Sequence, residues 1–371
     1  MAASTSKQLG TVLVIGGGGF LGRHIIMKLI ETKTTSKIVV LDITAPHEQI
    51  TGVVYVLGSI TSRDDVYNIL QEHTPKVIFH TVSPNPLLEN KKLFYSVNVG
   101  GTENLLKCIE EVGCVKALVY TSSSSVVHNI HTDLINAIED LPLRFEPAQK
   151  VYYSHTKAVA EDMVLSANGK HGLLTTAIRP ASLFGEGDFL LTPNMTELGG
   201  KNIIIGSGKN KFDFTYVGNN AYGQVLAAAA LIRESTLDAS IPPESRVAGE
   251  AFVITNDEPY PFWDFARDLA IGAGFAIDRT KARYLPKPYL MVVVGFWEWI
   301  VKIFSVGRRQ PFMTRRKILP TTLERTFDIS KAKKRLRYRP QVDMGEAIER
   351  TANWWKSQQV IAEKRKLMPI K

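Results

Sequence analysis

Short apolar runs alternate with amphipathic segments over the first part of the chain. The apolar runs lie at Thr11–Ile15, 37–41, Val53–Leu57, 77–79 and 117–120. Segments with apolar residues at helical spacing lie between them, at 23–30, 62–71 and Gly101–Val112. Short runs rich in β-branched residues are typical of buried strands, and their alternation with helices predicts an α/β fold with a doubly wound parallel sheet.

A glycine-rich turn follows the first apolar run. Gly16, Gly19 and Gly22 have the spacing G-x-x-G-x-x-G, directly before the first helical segment. Glycines at this spacing allow a tight turn and let the backbone approach a pyrophosphate, which the N–H groups at the helix N-terminus can bind. The pattern predicts a dinucleotide-binding Rossmann domain over residues 1–190.

An acidic residue ends the second apolar run. Asp42 stands twenty residues after Gly22, where a carboxylate accepts hydrogen bonds from the adenosine ribose hydroxyls. Its negative charge would repel a 2′-phosphate, and Ile43 and Thr44 offer no cation to offset it. We therefore expect NAD as the cofactor, with NADP as the alternative.

The alternation loosens after about residue 184, where Gly and Pro become frequent. We expect a smaller substrate-binding domain over residues 191–371, formed by a chain that crosses back to the first domain. This second part contains an apolar segment over residues 286–306.

The composition is that of a globular protein: 371 residues, 44% of them hydrophobic, with a net charge of +9. Two cysteines, Cys108 and Cys114, are too few for a disulfide framework and lack zinc-ligand spacing, so we expect a reducing compartment and no metal. The first ten residues lack the apolar core of a secretory signal. No run reaches the roughly 18 consecutive apolar residues of a spanning helix.

Much of the excess positive charge follows one apolar segment. Residues 290–301 include Trp297 and Trp299, and no acidic residue occurs between positions 299 and 322. The cations after the segment are Lys302, Arg308, Arg309, Arg315, Arg316 and Lys317. This arrangement favours a helix in an anionic membrane interface, although a buried core helix followed by a solvated basic loop also fits.

A second basic region, residues 331–339, has the pattern of a solvated surface. It lacks interleaved aromatic residues and a recognition motif. We therefore predict no nucleic-acid partner.

Hydroxyl and amino groups provide candidate catalytic residues. Thr121 and four serines, Ser122 to Ser125, follow a predicted strand, and Tyr153 and Lys157 stand four residues apart in a predicted helix. An ammonium about 5 Å from a phenol favours the phenolate by roughly 3 kcal/mol at an effective dielectric constant of about 20. Such a phenolate could accept the proton of an alcohol that a serine orients, while the hydride leaves for a nicotinamide.

These motifs together resemble the extended short-chain dehydrogenase/reductases, and within them the 3β-hydroxysteroid dehydrogenase family. The matching elements are the glycine motif 16–22, Asn98 with Gly101 and Thr102, Thr121 to Ser123, Tyr153 with Lys157, Arg179 with Pro180, 213–217 with Asn219, 251–256 with 262–265, and 325–331 with Tyr338 and Pro340. The C-terminal elements most resemble the decarboxylating, fungal-type branch that acts on sterol 4α-carboxylates.

The resemblance implies roles for individual residues. Tyr153 would be the proton acceptor, Lys157 would lower its pKa and hold the nicotinamide ribose, and Ser123 would orient the substrate hydroxyl. Ser124 is the alternative to Ser123, so the implied substrate contacts are Ser123, Ser124 and Tyr153. The implied cofactor contacts are Gly16, Gly19, Phe20, Leu21, Gly22, Asp42, Ser59, Ile60, Thr81, Val82, Ser83, Tyr153, Lys157, Pro180, Ala181, Ser182 and Leu183. Ser59 departs from the Asp that relatives often carry there.

The resemblance also implies a reaction and a location. The reaction is oxidation of the 3β-hydroxyl of a sterol or triterpenoid 4α-carboxylate to the ketone with loss of CO2, because the product of oxidation is a β-keto acid. The location is the cytosolic face of the endoplasmic reticulum membrane, with other sterol C4-demethylation enzymes and a second copy of the chain as further partners.

Several alternatives share these residues. One is a hydroxysteroid dehydrogenase or ketone reductase without decarboxylation, and another is a dinucleotide-sensing scaffold without catalysis. A sugar-nucleotide epimerase has the same catalytic set, but the apolar segment near residue 290 is unusual beside a soluble sugar substrate.

Overall fold

A computed structural model describes residues 8–46, 48–237, 241–304 and 314–367. Within the helices, the side chains of Lys302, Arg316, Lys317 and 362–367 are not described. Arg308, Arg309, residues 1–7 and the end of the segment 286–306 lie outside the described residues.

The described residues form fifteen strands and eleven α-helices. The strands are β1 (Thr11–Ile15), β2 (Lys37–Asp42), β3 (Val53–Leu57), β4 (Val77–His80), β5 (Ala117–Thr121), β6 (Leu134–Ala137), β7 (Leu174–Pro180), β8 (Ser182–Phe184), β9 (Ile203–Ile205), β10 (Lys211–Phe212), β11 (Phe214–Tyr216), β12 (Glu250–Ile254), β13 (Tyr260–Pro261), β14 (Arg283–Leu285) and β15 (Arg325–Phe327). The helices are α1 (Phe20–Thr32), α2 (Arg63–His73), α3 (Lys91–Phe94), α4 (Gly101–Val112), α5 (Tyr152–Ser166), α6 (Leu191–Gly200), α7 (Val217–Glu234), α8 (Phe262–Gly272), α9 (Lys287–Phe304), α10 (Arg315–Ile318) and α11 (Met344–Leu367).

Seven parallel strands form the large sheet, in the order β12-β7-β5-β4-β1-β2-β3. Helices α1 and α7 cover one face, and α2, α4 and α5 cover the other. Strands covered on both faces are apolar throughout, and Val12, Val14, Val39 and Val40 are fully buried. The predicted doubly wound parallel sheet is therefore confirmed.

Strand β1 lies between β2 and β4, where the order of the strands reverses. At such a point the chain leaves neighbouring strands toward opposite faces and opens a crevice at their carboxyl ends, where ligands of this fold class bind. The glycine turn after β1 lies at this crevice.

The large sheet takes its seventh strand from beyond residue 190. Strand β12 pairs with β7, with Phe252 opposite Ile178, and α7 packs on α1. In the opposite direction, β6 from the first part of the chain joins the four-stranded sheet β13-β10-β15-β6. The two parts of the chain thus interleave, and the division into domains at residue 190 stays a prediction.

Aromatic side chains connect the smaller sheets to the helices beside them. The rings of Phe214 and Phe265 stack with their centroids 3.7 Å apart, and Phe184 packs edge-on against both. Phe214 also packs against Phe212 of β10, with centroids 5.0 Å apart, and β10 pairs with β15, whose Arg325 contacts the serine turn after β5.

Helix α9 differs from the other helices because most of its large apolar side chains are exposed. Val294 is buried, whereas Phe296 is 61% and Phe304 is 84% exposed. The other exposed large apolar residues of α9 are Tyr289, Val292, Val293, Trp297, Trp299 and Ile303. The prediction of a buried core helix is thus wrong for this face. Among the described helices, none has the length and apolar character needed to cross a membrane.

The second basic region is more structured than a solvated surface. Lys331 and Arg335 both form ion pairs with Glu250, at 2.7 and 3.1 Å, and Lys333 pairs with Asp257 at 2.5 Å. Because the side chains of Lys331 and Arg335 are less than 20% exposed, these cations stabilise the junction with β12. The predicted purely solvated surface is wrong for these two residues.

Candidate active site

The turn between β1 and α1 requires its glycines. Gly16 has a φ of +83°, and a Cβ there would lie 2.9 Å from Thr81 Oγ1. A Cβ on Gly22 would lie 2.2 Å from the carbonyl oxygen of Gly16, so only glycine lets the helix pack this closely on the turn. Gly19 is the residue before α1, whose first N–H groups, at Phe20 and Leu21, face the crevice end of the sheet without intrahelical acceptors.

The carboxylate of Asp42 lies beside this turn. Its Oδ2 accepts a hydrogen bond from the backbone N–H of Gly18 at 3.0 Å. The end of β2 and the glycine turn therefore form one continuous edge. A dinucleotide bound at this edge can place its pyrophosphate at the N-terminus of α1 and its ribose hydroxyls against Asp42.

The remaining predicted cofactor contacts follow other strands of the same sheet. Ser59 and Ile60 follow β3, Thr81 to Ser83 follow β4, and Pro180 to Leu183 span the end of β7 and β8. Thr81 Oγ1 donates to the carbonyl oxygen of Ile15 at 2.8 Å, which ties the end of β4 to the glycine turn. All these residues thus line the carboxyl ends of the parallel strands.

Asp65 is a residue of this edge that the sequence reasoning missed. Its Oδ2 accepts a hydrogen bond from the backbone N–H of Ser59 at 2.8 Å, so a carboxylate lies next to Ser59 although Ser59 itself has none. The signal was the spacing Ser62-x-x-Asp65, since Ser62 caps α2 by accepting from the Asp65 N–H at 3.3 Å.

Tyr153 and Lys157 lie on one face of α5, against the end of β5. Lys157 Nζ donates to the carbonyl oxygen of Thr121 at 2.5 Å and lies 4.3 Å from the ring centroid of Tyr120. Phe94 packs edge-on against the Tyr153 ring at 5.8 Å. The structure thus brings the predicted catalytic pair to the serine turn.

Burial dominates the ionisation of this pair. It raises the pKa of Tyr153 to about 12, although hydrogen bonding with Ser123 opposes the rise. It lowers the pKa of Lys157 to about 7, against the favourable charge of Glu161. These contacts do not produce the lowered Tyr153 pKa that the four-residue spacing suggested, because both groups have lost their solvation.

The serine turn separates the roles of Ser123 and Ser124. Ser123 interacts with Tyr153, and its Oγ lies 2.8 Å from that of Ser125. Ser124 instead accepts a hydrogen bond from Arg325 at 2.8 Å. This geometry favours Ser123 as the hydroxyl that works with Tyr153, while Ser124 contacts the smaller four-stranded sheet.

Asn98 is a second residue with no role assigned from the sequence. It lies in a π-helix, Tyr95–Gly100, an irregularity that is frequent at functional sites. Its Nδ2 donates to Thr156 Oγ1 at 3.0 Å, and its buried Oδ1 has no partner. Asn98 thus connects the π-helix to α5.

Acidic, His and Cys side chains form no metal-binding group of three or more in the described part of the chain.

A doubly wound sheet with Ser123, Tyr153 and Lys157 at its carboxyl edge is the arrangement of the short-chain dehydrogenase/reductases. The chain belongs to the 3-beta hydroxysteroid dehydrogenase/isomerase family, whose sequence profile matches residues 13–286. The resemblance predicted from the motifs is confirmed.

Curated relatives match over most of the chain. The chain is 37% identical to 3beta-hydroxysteroid-dehydrogenase/decarboxylase isoform 1 of Arabidopsis thaliana, covering 91% of this chain and 78% of that protein. It is 35% identical to the decarboxylating sterol-4-alpha-carboxylate 3-dehydrogenase of Candida albicans, covering 94% and 98%. A solved structure of dTDP-glucose 4,6-dehydratase DesIV from Streptomyces venezuelae has a TM-score of 0.69, with 19% identity over 95% of this chain and 99% of that one. At this identity the likeness concerns the fold alone.

Proposed function

We propose that the protein is an NAD-dependent dehydrogenase that oxidises the 3β-hydroxyl of a sterol or triterpenoid 4α-carboxylate to the 3-ketone, with loss of CO2. The observation that carries the proposal is the grouping of Ser123, Tyr153 and Lys157 at the dinucleotide edge of the sheet. The names of relatives at 35–37% identity over most of the chain support the substrate class.

The edge fits a dinucleotide because glycines at Gly16 and Gly22 let the turn fold tightly against Thr81 and let α1 pack closely on the turn, which leaves the backbone N–H groups of the turn and of the start of α1 without side chains over them. The glycine turn and the start of α1 would hold the pyrophosphate, and Asp42 the adenosine ribose. The carboxylate of Asp42 disfavours a 2′-phosphate and so favours NAD over NADP. NAD supplies the acceptor for the hydride from C3 when it is bound.

The catalytic residues handle the proton of the alcohol. Ser123 orients the 3β-hydroxyl, and Tyr153 accepts its proton at the phenolic oxygen. Burial raises the pKa of Tyr153 to about 12, so ionisation of this phenol requires positive charge nearby. Lys157, on the same helix face and held by the Thr121 carbonyl, provides this charge in its protonated form, which predominates below its lowered pKa of about 7.

Decarboxylation follows from the oxidation itself. The ketone at C3 is β to the carboxylate, so the electron pair of the breaking C4–carboxyl bond moves into an enolate as CO2 leaves. Ser123 and the protonated Tyr153 can donate hydrogen bonds to the enolate oxygen. A proton then returns to C4, so the reaction needs no further oxidant.

The proposal includes attachment to a membrane surface through α9, at the cytosolic face of the endoplasmic reticulum. Trp297 and Trp299 are 51% and 58% exposed, and aromatic residues of this kind are typical of lipid headgroup regions. Arg315 is already engaged by α9, since its backbone N–H donates to Glu298 at 2.8 Å and its Nε donates to the Met291 carbonyl at 3.0 Å. The exposed apolar face, rather than Arg315, therefore carries this attachment.

The reaction is tested with purified protein, NAD and a 4α-carboxy-3β-hydroxysterol. NADH absorbance and the mass of the sterol product are followed together. We expect NADH to form with loss of the carboxylate mass. NADH with the keto acid retained under conditions where it is otherwise stable would indicate oxidation alone, and no NADH would contradict the dehydrogenase proposal.

A further inference from the structure

Arg325 carries its guanidinium to the serine turn from a distant part of the sequence. It is the first residue of β15, and its Nη2 donates to Ser124 Oγ at 2.8 Å. The rings of Phe212 and Phe327 lie 5.6 and 5.8 Å from the guanidinium carbon. The cation thus lies near two aromatic rings and contacts Ser124, the residue that follows Ser123.

The hydrogen bonding of this guanidinium is incomplete. A guanidinium has five N–H donors, and the buried Nε of Arg325 has no partner. None of the ion pairs between described residues includes Arg325. A half-buried cation that forms no ion pair is costly, because it has lost solvation and gains only the longer-range attraction of Asp213.

Asp213 is the acidic residue whose negative charge acts on Arg325, and its backbone N–H donates to the Arg325 carbonyl oxygen at 2.8 Å, but its carboxylate forms no hydrogen bond with the guanidinium. Its Oδ2 accepts from the backbone N–H of Phe327 at 2.7 Å, and its Oδ1 is buried without a partner. Burial raises the pKa of Asp213 to about 7, so its negative charge is itself disfavoured. Asp213 therefore does not complete the hydrogen bonding of Arg325.

Three other buried or half-buried cations form ion pairs. Arg179 forms a buried ion pair with Glu161 at 2.6 Å, and Lys331 and Arg335 pair with Glu250. Lys157 is held at the Thr121 carbonyl. Arg325 is thus a cation at the serine turn that forms no ion pair among the described residues and keeps an unpartnered N–H.

The proposed substrate carries an anion, its C4 carboxylate, next to the hydroxyl that is oxidised. Its carboxylate is on the carbon next to the carbinol carbon, so it lies a few ångströms from the hydroxyl that Ser123 orients. Ser124 directly follows Ser123, so the guanidinium that donates to Ser124 at 2.8 Å reaches the same turn that holds Ser123. Planar guanidinium and carboxylate groups form paired, charge-assisted hydrogen bonds.

We propose that Arg325 binds the C4 carboxylate of the substrate and so determines its specificity, with Ser124 positioning the guanidinium. This inference rests on the proposed function for the identity of the anion. Because CO2 is neutral, the contact exists with the substrate and is lost with the product. Its removal therefore affects binding of the acid more than the chemical step.

The test compares an acidic and a neutral ligand. Binding of a 4α-carboxysterol and of the corresponding 4α-hydroxymethylsterol is measured in the presence of NADH, for the full-length protein and for Arg325→Gln. We expect the variant to bind the acid about 30-fold more weakly and the neutral sterol within about threefold of wild type. Lys211→Gln is the matched control, because it removes an exposed cation from the neighbouring strand β10.

Two results would overturn the inference. One is an equal loss of affinity for both sterols in Arg325→Gln, which would show a structural role at the serine turn. The other is a wild-type protein that does not prefer the acid.

The turnover assay separates this inference from the proposed function. Selective loss of acid binding without NADH formation by wild type would support carboxylate recognition while contradicting the dehydrogenase. NADH formation by wild type, together with an unchanged preference for the acid in Arg325→Gln, would support the dehydrogenase while contradicting carboxylate recognition by Arg325.

Discussion

Helices α5 and α9 depart from the usual distribution of side chains in opposite directions. Helix α5 buries the polar residues Ser154, Thr156, Lys157 and Glu161. Helix α9 exposes large apolar residues, including Phe304 at 84%. Buried charges and clustered exposed apolar side chains both cost stability in a water-soluble protein.

The two departures differ in how the neighbouring residues compensate. In α5 the polar groups have partners, since Glu161 pairs with Arg179, Lys157 donates to Thr121 and Thr156 accepts from Asn98. In α9 the apolar face has no such compensation within the described chain. Departures of this kind are expected at functional sites. Substitutions in α5 should therefore lower catalytic activity, and substitutions in α9 should weaken binding to a partner surface.

The largest effect is expected on α5. Tyr153→Phe removes the group that accepts the alcohol proton and should lower kcat about 1000-fold, while NAD binding stays within about threefold of wild type. Steady-state rates and NAD titration check this. Tyr152→Phe is the matched control, because its ring packs under Lys91, 4.5 Å away, rather than at the serine turn. Equal measurable rates for Tyr153→Phe and wild type would contradict the catalytic role of Tyr153, whereas NAD binding with no turnover in either protein would favour a dinucleotide-sensing scaffold.

An intermediate effect is expected from a buried carboxyl group outside both helices. Burial raises the pKa of Asp213 from 3.8 to about 7. The folded state thus binds this proton more tightly than the unfolded state, so its contribution to stability is complete below about pH 4 and is lost as the pH rises through about 7. When the pH is raised from 5 to 8, the wild type should lose about 2 kcal/mol of its free energy of unfolding relative to Asp213→Asn, because asparagine does not titrate.

Urea unfolding at the two pH values measures this difference. Asp162→Asn, which changes an exposed carboxylate on α5, is the control for the loss of a charge. A constant difference between Asp213→Asn and wild type at both pH values would show that Asp213 keeps its charge in the folded protein.

Features encoded over short stretches of sequence could be predicted. The glycine spacing placed the turn between β1 and α1, and the four-residue spacing placed Tyr153 and Lys157 on one face of α5. Each depends on local backbone geometry, which a few neighbouring residues determine. The apolar runs likewise predicted the strands of the large sheet, because a strand covered on both faces has few polar positions.

Features that depend on distant residues or on burial could not be predicted. The contact between Arg325 and Ser124 joins positions 201 residues apart, and no local pattern encodes it. The pKa of Tyr153 depends on how completely helices and loops exclude water from the site, so the charge of Lys157 alone gave the wrong direction. Lys331 and Arg335 were misjudged for the same reason, since their partner Glu250 lies about 80 residues away.

The smallest effect is expected on α9, and it tests the other half of the comparison. Phe296 is 61% exposed and stacks on Trp299 with centroids 5.8 Å apart. Phe296→Ser should weaken binding to anionic liposomes about tenfold, because the ring then no longer enters the interface, and leave the melting temperature unchanged. Ile30→Ser on α1, where Ile30 is 42% exposed, should leave liposome binding unchanged. Equal liposome binding by Phe296→Ser and wild type would mean that the exposed face of α9 contacts something other than lipid, whereas a lower melting temperature would mean that this ring stabilises the fold.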